Sequence, residues 1–75
     1  MNMNAIAKEI YAEIVATLEQ IERTNAMLHL HETSPRPSRN SISNFIELRA
    51  DYMRQLAGLL RSFDVEIRLP ITEAA

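Results

Sequence analysis

Two prolines within three positions, Pro35 and Pro37 in the stretch ETSPRPSRNS, divide this chain in two. Each removes a backbone donor, and together they push Ser34 and Arg36 out of helical geometry. A helix arriving from the amino-terminal side must stop near Glu32. The next can start only where a side chain caps it, and Asn40, Ser41 and Ser43 are all suited to that role. Two helices joined by so short a connection lie antiparallel.

Both flanking segments carry the helical period. From about residue 4 to residue 31, Ile6, Ile10, Ile14, Leu18, Ile21 and Leu28 recur at steps of three, four or seven, with Asn25 filling the longer gap. Tyr11, Val15 and Met27 widen that face, and neither Gly nor Pro interrupts the run. Residues 42–63 repeat the pattern through Phe45, Leu48, Tyr52, Leu56, Leu59 and Phe63, flanked by Ile42, Ile46, Met53 and Leu60. Apolar faces this broad want neighbours on two sides, which one hairpin does not provide. Gly58, together with Ala50 and Ala57 one heptad apart, would permit a close helix–helix approach at glycine's usual cost of about 1 kcal/mol within a helix.

Charge agrees with the pairing. The first segment sets Lys8 and Arg23 against Glu9, Glu13, Glu19, Glu22 and Glu32, whereas residues 33–63 set five arginines against Glu47 and Asp51. Opposite signs favour adjacency, although each exposed pair contributes little.

After Phe63 the period changes. In DVEIRLPIT, Val65, Ile67, Leu69 and Ile71 alternate with Glu66, Arg68, Pro70 and Thr72, which is the spacing of a strand over 65–72. Asp64 suits the turn that leaves the helix. Pro70 limits such a strand to an edge, and no second strand pattern occurs elsewhere in the chain. Its partner would be the same segment of another copy, which needs no unknown molecule, or else another protein. An extended arm packed on the helices without a ladder is the remaining arrangement.

A chain of 75 residues without cysteine has neither disulfides nor thiolate zinc to hold it together. Oligomerisation is the other common device. The expected fold is therefore mainly all-α, one small domain over residues 1–75. An antiparallel hairpin of helices 4–31 and 42–63, joined by a Pro-rich loop at 32–41, carries the short C-terminal strand or arm. It dimerises into a four-helix bundle. The residues expected at the oligomer interface are Ile10, Ile14, Leu18, Ile21, Asn25, Leu48, Tyr52, Leu56, Leu59, Val65, Ile67 and Leu69. Asn25 is either a buried polar residue that fixes register or a solvated one where the helix end splays.

Chemistry is harder to find. In LHLHE, His29 and His31 point about 200° apart on a helix and cannot share a metal there; beside Glu32 they suit a helix C-terminus. Arg36 and Arg39 in the loop, with Arg54 and Arg61 on the second helix, are candidates for binding a partner. Glu47 and Asp51 interrupt any basic stripe, aromatic interleaving is lacking, and the net charge is −2, so nucleic acid is not expected. No Gly-rich phosphate loop, cysteine nucleophile or zinc-helix motif is present, so neither an enzyme nor a cofactor or metal site is expected. The amino terminus lacks the pattern of a signal peptide, and no apolar run reaches the roughly 20 residues of a membrane span. A cytoplasmic, non-enzymatic interaction or regulatory module acting as a homodimer follows. A nucleic-acid-associated regulator using the arginines is the alternative.

Overall fold

The computed structural model describes residues 3–65, with side chains from residue 7 onward. Two helices account for most of it: α1, Met3–Glu32, and α2, Arg39–Arg61. They pack against each other as a hairpin with Cα extents of 53 × 21 × 14 Å, a single layer two helices wide. Four contacts fix the antiparallel sense, because the residue number falls on α2 as it rises on α1. Tyr11 stacks on Phe63 with centroids 5.2 Å apart, and Gln55 Nε2 donates to Thr17 Oγ1 at 3.4 Å. Arg49 donates to Asn25 Oδ1 at 3.1 Å, and the rings of His31 and Phe45 lie 5.3 Å apart near the loop.

The inward face of α1 is set by strict alternation of steps of four and three: Ile10, Ile14, Thr17, Ile21, Thr24, Leu28, His31. Each of these residues is buried or half-buried. Leu28, Thr17 and Thr24 are the deepest, and both threonines lie in the seam as polar residues. Their hydroxyls are satisfied within α1, where Thr17 Oγ1 donates to the Glu13 carbonyl and Thr24 Oγ1 to the Gln20 carbonyl, both at 2.7 Å. This local bond is the usual resolution for a helical threonine that faces away from water. On α2 the matching face runs Ile42, Ile46, Arg49, Met53, Leu56 and Leu60, with Ala50 alongside and Phe63 continuing it just beyond the helix. Ala50, Met53 and Leu56 are its buried members.

The loop is shorter than the prolines alone suggest. α1 closes when Thr33 N–H and Thr33 Oγ1 both donate to the His29 carbonyl, at 3.0 and 2.7 Å. α2 begins at Arg39, three residues before the expected Ile42, because the capping residue is Ser38. Asn40, Ser41 and Ser43 are not the cap. Ser38 has extended backbone (φ −91°, ψ 115°), its side chain accepts from Ser41 N–H at 3.3 Å, and its carbonyl accepts from Ile42 N–H. Pro37 stands just outside the helix, where its missing donor costs nothing.

At the far end α2 closes by a left-handed residue. Asp64 has φ 56°; its N–H donates to the Arg61 carbonyl and that of Val65 to the Leu60 carbonyl, at 3.0 and 3.2 Å. These are the two bonds of a Schellman closure, with Asp where glycine is commonest. The chain thus leaves the helix at Asp64, the residue expected to turn it. Among the described residues there is no strand. Residues 66–72 of the expected strand, with Ile67 and Leu69, lie outside the described residues.

Ser38→Ala should lower stability by about 1 kcal/mol and Ser38→Gly by only a few tenths, measured by urea unfolding. Equal losses would place the first turn's capping elsewhere.

Candidate interaction surface

Repeated steps of four do not stay on one side of a helix. Each advances about 40° beyond a full turn, and Ile14, Ile21 and Leu28 belong equally to a four–three stripe through Leu18 and Asn25 and to one through Thr17 and Thr24; α2 lies on the threonine side. Leu18 is accordingly 49% exposed. Asn25 also sits outside the inward stripe, exposed, where it accepts the Arg49 hydrogen bond at the hairpin's edge. Among the described residues the buried polar residues of the intrachain seam are Thr17 and Thr24, which composition and hydrophobic periodicity both pass over. Their spacing of seven, in line with Ile10 and His31, is the feature that marks them.

The remaining expected interface residues divide by location. Leu56 is buried between the helices of its own chain. Ile10, Ile14, Ile21, Tyr52 and Leu59 are half-buried, while Leu48 and Val65 are exposed. Gly58 is exposed, with open space where a Cβ would stand, so the close packing against α1 is provided by Ala50 rather than by glycine. Tyr11, Val15, Met27 and Leu30 join Leu18, Leu48 and Val65 as large apolar side chains facing solvent.

The charged candidates do not converge. Arg36 and Arg39 are exposed at the loop, and Arg61 is exposed in the last turn of α2. Arg54 is engaged with Asp51 at 2.8 Å, an ion pair within α2 that is too exposed to contribute much stability. The opposite charges of the two segments are therefore not expressed in that pair. The cross-helix polar bonds from Arg49 and Gln55 go to neutral partners. His29 is exposed, His31 packs on Phe45, and among the described residues no group of three or more His, Cys, Asp or Glu could hold a metal ion. Among the same residues no helix is long and apolar enough to cross a membrane.

Compared with protein-family models, curated proteins and solved structures, the chain finds no match. Its surface, among the described residues, is that of a thin hairpin carrying large exposed apolar side chains on its flanks.

A pair of substitutions separates the inner face from the outer one. Leu56→Ala should cost roughly 2–5 kcal/mol, as expected of a buried leucine. Gly58→Ala should raise stability by up to about 1 kcal/mol, because the helix gains propensity and the added methyl meets nothing in its own chain. A loss on Gly58→Ala would mean that another helix approaches that position closely.

Proposed function

We propose that this protein is a non-enzymatic interaction module that works as a homodimer, two hairpins closing into a four-helix bundle. The observation that supports this reading is the exposure of Tyr11, Val15, Leu18, Met27, Leu30, Leu48 and Val65 on a layer only two helices wide. Large apolar side chains on the surface of a soluble chain are individually ordinary, but contiguous groups of them mark association surfaces. A chain this short also obtains little stability from its own core, so a second copy supplies burial that the hairpin lacks.

The tail belongs to the same reading. Its alternating Val65, Ile67, Leu69 and Ile71 would add pairing between the two copies, with Pro70 confining the pairing to one side. The dimer is the form that presents a surface to other proteins, and Arg36, Arg39 and Arg61 are the cations available at its loop and helix ends.

Sedimentation equilibrium at micromolar concentration should report a dimer. A chain cut after Val65, which keeps the N–H that closes α2, should associate more weakly while retaining its helical circular dichroism. A stable folded monomer at every concentration would contradict the proposal. Undiminished association of the shortened chain would remove the tail from the interface.

A further inference from the structure

Three of the exposed apolar residues are not scattered. Tyr11, Val15 and Leu18, exposed at 55%, 54% and 49%, follow one another at steps of four and three on one side of α1, off the seam with α2. Continuing the same spacing outward reaches Lys8 at one end and Glu22 at the other. Both are exposed, and among the described residues neither forms an ion pair within its own chain. The strip thus reads cation, three apolar residues, anion, with Val15 at its centre and each charge seven residues, or about 10 Å, away.

Such a pattern is complementary to itself when reversed. Two-fold association requires that one patch meet its own copy, residue i against j and j against i. Running α1 antiparallel to a second α1 about an axis at Val15 sets Tyr11 against Leu18 of the other copy. It sets Lys8 against Glu22 of the other copy, twice. A parallel arrangement would instead oppose Lys8 to Lys8 and Glu22 to Glu22. Resting on the homodimer reading above, we infer that the second copy docks along this strip of α1, antiparallel, with the two-fold axis passing at Val15. The Tyr11 ring, held against Phe63 at an interplanar angle of 10°, is an ordered edge for that contact. Leu48, on α2, belongs to the competing flank together with Met27 and Leu30, where no comparable pairing of charges brackets the apolar residues.

The chain has no cysteine, so one introduced thiol reports on one position. In the full chain, Val15→Cys should oxidise to a covalent dimer at least about tenfold faster than Leu48→Cys, since only a residue at the axis meets itself within disulfide reach. Lys8→Glu and Glu22→Lys should each weaken self-association several-fold, because each makes both symmetry-related pairs repulsive. The double variant should return it to within about twofold of the parent. Faster cross-linking of Leu48→Cys, or a double variant no tighter than either single one, would overturn this docking while leaving the homodimer intact. A parent chain that never associates would overturn both.

Discussion

Everything in this molecule depends on how α1 lies against α2, and that seam is unusual in being partly polar. At two depths in α1 the inward residue is a threonine, and neither costs the structure an orphaned hydroxyl because each donates to the carbonyl four residues earlier. Gln55 then reaches across to Thr17, and Arg49 to Asn25, so two cross-helix bonds accompany the apolar contacts. Among the described residues no buried side-chain nitrogen or oxygen lacks a partner. A satisfied polar layer contributes less to stability than leucines of the same volume, and because each hydroxyl is satisfied by its own helix in any register, the cross-helix contacts are what hold the register. The four matched contacts from Tyr11–Phe63 to His31–Phe45 hold one register along the whole hairpin.

The same seam leaves much of the hairpin's apolar surface uncovered. Of the large side chains, Leu28, Met53 and Leu56 are those buried within the described chain, with Ala50 beside them. Two helices side by side have only one shared face, and the residues at its borders stay half wet. Covering one border with a second hairpin turns half-buried and exposed side chains into core without altering the intrachain contacts. In the proposed homodimer, folding and association would be coupled events, as is usual for domains near the lower size limit.

Hydrophobic period and proline placement are enough to read two antiparallel helices, and Asp64 marks where the second one ends. Side-chain placement is less readable, for identifiable reasons. Ile14, Ile21 and Leu28 fit a four–three stripe through Leu18 and Asn25 as well as one through Thr17 and Thr24, and hydrophobicity favours the first although the helix packs on the second. Hydrophobicity scales rank threonine as neutral and cannot register that its own helix satisfies the hydroxyl. Ser38 is a similar case. Several serines and an asparagine compete for the cap, and the decision falls to the first one after Pro37, where the chain is already extended. The surface strip on α1 is visible only once the seam is fixed, because Tyr11, Val15 and Leu18 read as core until their side is known.

Coupling between the hairpin and a second copy is most directly tested by the concentration dependence of thermal unfolding. Circular dichroism melts of the full chain from about 1 to about 100 μM should show a melting temperature that rises by roughly 5–10 °C, with a single transition throughout. A melting temperature that does not move over that range would mean that the hairpin is stable alone and that its exposed apolar residues are not covered by another copy.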